Sequence, residues 1–153
     1  MLQRELAGSE KVLGREHPDT LISINNLGYV LSDQGKYEEA EAMFRRALAG
    51  SEKVLGCEHP DTLISINNLG DVLSDQGKYE EAEAMFRRAL AGSEKVLGHE
   101  HPDTLISVNT LGDVLSGQGK YEEAEAMHRR ALAAGEKVLG GEHPNAEEHR
   151  YSF

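Results

Sequence analysis

HPDTLISINNLGYVLSDQGKYEEAEAMFRRALAGSEKVLG, residues 17–56, is the stretch that decides the fold, because residues 59–98 return it with a single change, Tyr29 to Asp71. Residues 101–140 return it again with a few more changes. Lys11 to Glu52, Lys53 to Glu94 and Lys95 to Glu136 align without a gap at a period of 42 residues, and Pro18, Pro60, Pro102 and Pro144 mark the beat. A fixed period of about 20–50 residues signals a solenoid, in which each unit leaves an apolar face for its neighbour to cover. Catalysis needs different residue types converging on one point. A solenoid offers the same residues at every step, so the repeat points to a non-enzymatic recognition surface with no cofactor.

Each unit reads as two helices. Pro18 suits the first helical position, where its missing N–H is no loss, and Asp19 sets a carboxylate against the positive helix end. His17, held out of the α region by Pro18, takes the cap position. Leu21, Ile24, Leu27, Gly28 and Leu31 then fall on one face of a helix A running to about Asp33. Gln34-Gly35 turns the chain. Helix B begins near Lys36 and buries Tyr37, Ala40, Phe44, Ala47, Leu48, Ser51 and Leu55 before Gly56 stops it. Short connections make the paired helices antiparallel, giving an all-α, antiparallel helix-hairpin solenoid. The expected organisation over residues 1–153 is one array: a partial helix B at 1–14, units at 15–56, 57–98 and 99–140, and a partial fourth helix A at 141–153. Leu2 and Leu6 are expected to leave an apolar edge. Glu147 and Arg150 make the last segment a poor continuation of the core, and it is expected to fray.

Composition narrows the function classes. The net charge of -11 repels phosphate backbones and anionic lipid, which argues against nucleic acid or a membrane as partner. Residues 1–14 hold no apolar signal region, no apolar run nears membrane-spanning length, and the lone Cys57 cannot form an intrachain disulfide. A cytoplasmic protein, or a fragment of one, is expected.

Leu27-Gly28, Ala40, Phe44 and Ala47, with Leu69-Gly70, Ala82, Phe86 and Ala89 and then Leu111-Gly112, Ala124, His128 and Ala131, resemble the Leu-Gly, Ala, Phe and Ala signature of tetratricopeptide repeats. The 42-residue form, with its N-N-L-G, G-K-Y-E-E-A-E and R-R-A-L segments, is similar to the kinesin light chain repeats and to the C-terminal arrays of fungal NLR-type (STAND) ATPases. The resemblance implies a right-handed superhelix whose A helices line a concave groove. Glu52 stands where the 34-residue form closes with Pro, and Ile24, Ile66 and Val108 replace its usual aromatic, so the pitch is not carried over.

By that resemblance the partner-binding groove comprises Ile22, Asn25, Asn26, Tyr29 and Asp33; Ile64, Asn67, Asn68, Asp71 and Asp75; and Ile106, Asn109, Thr110 and Asp113. The helical pattern agrees, because these positions fall off the apolar stripe. Several divergences between copies also lie here, among them Tyr29/Asp71/Asp113 and Asn68/Thr110. Asn offers a donor and an acceptor, so a ladder of Asn suits a peptide backbone; the alternative is a merely solvated helix face. The acidic residues imply a neutral or basic protein or peptide partner. Two further readings are an array that self-associates end to end and a regulatory region of a larger NLR-type ATPase.

Other candidates read as structural. His99, Glu100, His101 and Asp103, like Cys57, Glu58 and His59, sit in short turns where metal geometry is hard to form. Gly35-Lys36 lacks the first glycine of a phosphate loop. His128 on the core stripe reads as a half-buried histidine, and Glu41/Arg45, Glu83/Arg87 and Glu125/Arg129 as i,i+4 pairs on a solvated convex face. Gly50 and Gly92, inside helix B, imply either a bend or a close neighbour.

Overall fold

The computed structural model describes residues 3, 4, 6–8, 14 and 17–142, with side chains as far as 137. Leu2, the segment 143–153 and the expectations attached to them lie outside the described residues. Six helices follow in order: α1 (Pro18–Asp33), α2 (Tyr37–Leu55), α3 (Pro60–Asp75), α4 (Tyr79–Leu97), α5 (Pro102–Gly117) and α6 (Tyr121–Glu142). Residues 3, 4 and 6–8 are helical as well.

The caps set the boundaries. His17, His59 and His101 are extended, and Nδ1 of each accepts the N–H of Asp19, Asp61 and Asp103 at 3.1 Å. Each ring thereby satisfies one of the amide donors that a helix start leaves free. Gly35 turns the chain at φ 78°, and Gly56 ends α2 at φ 93°, both in the left-handed region that a Cβ disfavours. The joint between units is pinned from the side: Thr62 Oγ1 donates to the Gly56 carbonyl at 2.7 Å, and Thr104 Oγ1 to that of Gly98 at 2.8 Å. The third unit departs from expectation at its end. No left-handed cap forms at Gly140, and α6 runs on to Glu142.

Successive helices pack in chain order, α1 on α2, α2 on α3 and so to α6. Leu21, Ile24, Leu27 and Leu31 of α1 meet Ala40, Phe44, Ala47 and Leu48 of α2 in one continuous core. Within each hairpin a ring lies directly against a glycine. A Cβ at Gly28 would stand 2.6 Å from Phe44 Cε1, at Gly70 2.7 Å from Phe86 Cε1, and at Gly112 2.7 Å from His128 Nε2. Gly50 and Gly92 have the same explanation: a Cβ there would lie 2.5 Å from a methyl of Leu21 or Leu63. Neither has positive φ, so close approach is the reason for glycine. Gly135 of the third unit has no such neighbour.

Two expectations need correction. Glu41 and Glu83 are not solvated partners of Arg45 and Arg87 alone. Glu41 is 16% exposed and accepts from Arg45 Nε at 2.8 Å, Gln76 Nε2 at 2.8 Å and Lys78 Nζ at 3.1 Å. The first is its own helix, and the other two belong to the turn of the next unit. Glu83 repeats this with Arg87, Gln118 and Lys120 at 2.8, 2.7 and 3.1 Å. Only Glu125, 59% exposed and paired with Arg129, matches the expected solvated pair. Arg88 with Glu52 and Arg130 with Glu94 add a second charged clasp at each junction. Leu6, expected to help form an apolar edge, is 8% exposed and joins the core as its counterpart Leu48 does. The exposed apolar side chain at that edge is Val30, at 38% against 1% for Val72 and 3% for Val114.

Burial raises the Glu41 carboxyl, but the hydrogen bonds from Arg45, Gln76 and Lys78 outweigh it and hold it at about 2. For Glu83 the bonds from Arg87 and Gln118 lead, with the same result of about 2. A carboxyl held below its ordinary 4.5 stabilises the fold above that pH, and the stabilisation fades as pH falls toward 2. Glu83→Gln is therefore expected to lose about 1–2 kcal/mol at pH 7 in urea melts, with a smaller gap at pH 3. Leu69, 1% exposed, should cost about 2–5 kcal/mol on truncation to Ala. Gly70→Ala should destabilise because the Phe86 ring blocks the methyl, whereas Gly135→Ala should gain up to about 1 kcal/mol of helix propensity. Equal effects of the two glycine substitutions in thermal melts would refute the packing argument.

Candidate binding groove

Because Leu21, Ile24, Leu27 and Leu31 turn inward, the residues about 100° away around the helix turn outward, and identical units place them in register along α1, α3 and α5. Ile22, Ile64 and Ile106 are 54%, 51% and 62% exposed, one per unit. Three clefts lie along this face. The first, of about 210 Å³, is lined by Ile22, Asn25, Asn26 and Tyr29 of α1 with Ile64 and Asn68 of α3. The second, of about 330 Å³, joins Ile64 and Asn67 to Ile106. The third, of about 390 Å³, gathers Tyr29, Asn68, Asp71, Asp75, Thr110 and Asp113 over Phe44 and Phe86. Asp33 and Asn109 line none of the three.

The asparagines do not form a uniform free ladder. Asn68 is only 7% exposed and its Oδ1 accepts the Tyr29 hydroxyl at 2.8 Å across the unit boundary. Tyr29 also sets its ring edge against Phe44, centroids 5.6 Å apart at 74°. Asn25 Nδ2 donates to Ser65 Oγ at 3.4 Å, and the Thr110 hydroxyl donates to the Ile106 carbonyl of its own helix at 2.8 Å. Asn26, Asn67 and Asn109 remain exposed or half-exposed. The periodicity of one helix places Asn68 on an outward face, but Tyr29 of the preceding unit reaches over it, while its counterpart Asn26, with no Tyr29 before it, is exposed. Its burial is a product of stacking that the single-helix pattern does not carry. The one sequence signal is Tyr29 itself, a side chain long enough to cross between units where the later copies have Asp.

Electrostatics separate the units further. Burial in the cleft raises the Asp71 carboxyl to about 6, and the neighbouring charge of Asp75, one turn along α3, adds to the shift. Asp71 is exposed at the residue level and lines a cleft that mixes Phe44, Val72 and Phe86 with Asn68, Asp75, Thr110 and Asp113. Asp113 is set differently: His128 Nε2 lies 3.4 Å away, and His128 Nδ1 is 3.0 Å from Asn109 Oδ1. The histidine that replaces Phe44 and Phe86 is half-buried and links α5 to α6 through polar contacts. The turn histidines and carboxylates have structural partners: His59 and His101 cap helices, Glu58 holds Lys95 at 2.6 Å, and Glu100 holds Lys137 at 2.8 Å. Among the described residues no helix is long and apolar enough to cross a membrane.

The family model for the tetratricopeptide repeat matches residues 1–53, 23–95, 61–137 and 107–151. Among solved structures, BtubC (BKLC) from P. vanneervenii superposes with a TM-score of 0.84 at 27% identity, over 94% of this chain and 57% of that one. A Podosopora anserina protein described as a kinesin light chain with nearly identical TPR-like repeats gives 0.79 at 28% identity, over 90% of this chain and 65% of the other. The TPR domain of Arabidopsis FLU, at 23% identity over 74% of this chain and 92% of its own, shares the fold with a TM-score of 0.66. The chain therefore spans less than two thirds of the BtubC and Podosopora proteins. No curated protein matches it in a sequence search.

Asp71 yields a pH prediction. Its folded value of about 6 lies above its ordinary 3.8, so its contribution favours folding below about pH 4 and is lost as pH rises toward 6. Asp71→Asn should accordingly stabilise the chain at pH 7–8, by about 1 kcal/mol after allowance for solvent screening, and be neutral near pH 4. Melts across that range that show no pH-dependent gain would contradict the assigned environment.

Proposed function

The chain belongs to the tetratricopeptide repeat family, and from that premise we propose that it is a non-enzymatic scaffold holding a segment of another protein along α1, α3 and α5. Repeats of this family mediate protein–protein interaction. The observation that carries the groove reading is the row of exposed Ile22, Ile64 and Ile106, one side chain per unit at the borders of adjoining clefts. Exposed apolar side chains at regular spacing, flanked by Asn donors and acceptors, suit an extended or helical segment that repeats its own apolar contacts. Asp71, Asp75 and Asp113, within a chain of net charge -11, favour a neutral or basic segment whose association weakens with salt. On an array of random peptides of about twelve residues, the retained sequences should be predominantly neutral or basic. Ile64→Asp should abolish retention while leaving the melting curve within about 0.5 kcal/mol of wild type. Retention of mainly acidic peptides, or retention indifferent to Ile64→Asp, would remove this reading.

A second reading has its own observation. Tyr121 and Leu132 are 68% and 57% exposed, whereas Leu48 and Leu90, which stand where Leu132 does, are 8% exposed beneath the following unit. At the opposite edge Val30 is bared, and Gln34 and Lys36, counterparts of the residues that clasp Glu41 and Glu83, are exposed. The two edges are complementary parts of one internal interface, so a second copy can add end to end, a contact that does not close unless its rotation forms a ring. Sedimentation velocity should show mass rising with concentration for the wild type and not for Leu132→Glu. A wild-type chain that stays monomeric at millimolar concentration excludes the second reading alone.

A further inference from the structure

Nearly identical units make any departure informative, and within helix A the departures gather at one place. Helices α1, α3 and α5 differ at four positions, and three of them, Tyr29/Asp71/Asp113, Asn68/Thr110 and Asp75/Gly117, supply lining of the cleft of about 390 Å³. Only α3 carries two carboxylates one turn apart, Asp71 and Asp75, because α1 has Tyr29 at the first place and α5 has Gly117 at the second.

An acidic cluster alone would say little. The independent observation is Asn68. It is 7% exposed and lines this cleft, and while Oδ1 accepts the Tyr29 hydroxyl, Nδ2 has no hydrogen-bond partner. A buried amide donor left unsatisfied carries a desolvation penalty that an arriving acceptor removes. A peptide carbonyl is such an acceptor. Next to it, Asp71 is the carboxyl that gains most from an arriving cation, since burial and Asp75 now disfavour its charge.

We propose that this cleft is an arginine subsite: the bound segment places an arginine side chain between Asp71 and Asp75, and a backbone carbonyl of the segment accepts from Asn68 Nδ2. This rests on the groove reading above and names what the groove selects. Arginine fits better than lysine for three reasons. Its guanidinium is less strongly hydrated, so entering a cleft floored by Phe44, Val72 and Phe86 costs it less. Its planar fork supplies enough donors for two carboxylates at once. Its face stacks on aromatic rings such as Tyr29, which an ammonium cannot match in area. Asp113, held by His128, stands at the far wall and adds negative potential.

The test selects a phage library of random twelve-residue peptides, about the span of three units, on the intact 153-residue chain. The enriched peptides are resynthesised with arginine, lysine or citrulline at the recurrent basic position. Anisotropy titrations then use wild type, Asp71→Asn, Asn68→Thr and Ile64→Asp. The expected result is an arginine at one fixed position, about tenfold weaker binding with citrulline, and an intermediate loss with lysine. Asp71→Asn should weaken the arginine peptide by a similar factor and leave the citrulline peptide unchanged, which a merely structural effect would not do. Asn68→Thr, the third unit's own residue, should weaken both peptides alike. Peptides that bind through the groove, as shown by loss with Ile64→Asp, yet tolerate citrulline would overturn the subsite and leave the groove reading standing. If no peptide is selected whose binding Ile64→Asp abolishes, the groove reading fails and the subsite with it.

Discussion

The architecture hangs on an aromatic ring lying against a helix that has no side chain to keep it away. At Gly28 and Gly70 the ring of Phe44 or Phe86 occupies the space a Cβ would need, so the helices of a hairpin approach more closely than any other residue would permit. That distance sets where the second helix presents its outer face, and the outer face receives the following unit. Once α3 is seated, its turn brings Gln76 and Lys78 onto Glu41. The polar clasp depends on the geometry that the apolar contact sets, and interior packing of this kind tolerates little error.

The third unit shows what happens when the ring changes. His128 still fits against Gly112, but its nitrogens turn to Asn109 and Asp113. Asn109 and Asp113 are thereby drawn into a link between α5 and α6. A single replacement in the core stripe therefore alters the outer face as well, because His128 reaches from α6 to Asn109 and Asp113 on α5.

Much of this was legible in the sequence, and the limits have physical causes. Pro18, His17, Gly35 and Gly56 act within one turn of chain, so caps and boundaries follow from neighbours a few residues away. The stripe Leu21, Ile24, Leu27 and Leu31 is likewise a property of a single helix. Glu41 pairs locally with Arg45 at i+4, whereas Gln76 and Lys78 arrive from 35 and 37 residues downstream and lie beyond the reach of one helix's pattern. Asn68 faces outward by the pattern of its own helix and is covered by Tyr29 of the preceding unit. The failures share a form: each concerns the junction between units, where rotation between hairpins decides what meets what.

The junctions carry one more consequence. Glu41 and Glu83 sit in identical segments, and the turns that clasp them, Gln76 to Lys78 and Gln118 to Lys120, are identical too. An emerging α2 therefore meets on α5 and its turn the same donors and the same leucines it would find on α3. Skipped pairing, with a whole unit looped out, competes with correct pairing during folding, and so does exchange of units between chains. What tells the first junction from the second is the Tyr29 hydroxyl on Asn68, because the second would set Asp71 against Thr110. That bond is one of the few features that mark order along a polymer of nearly interchangeable links.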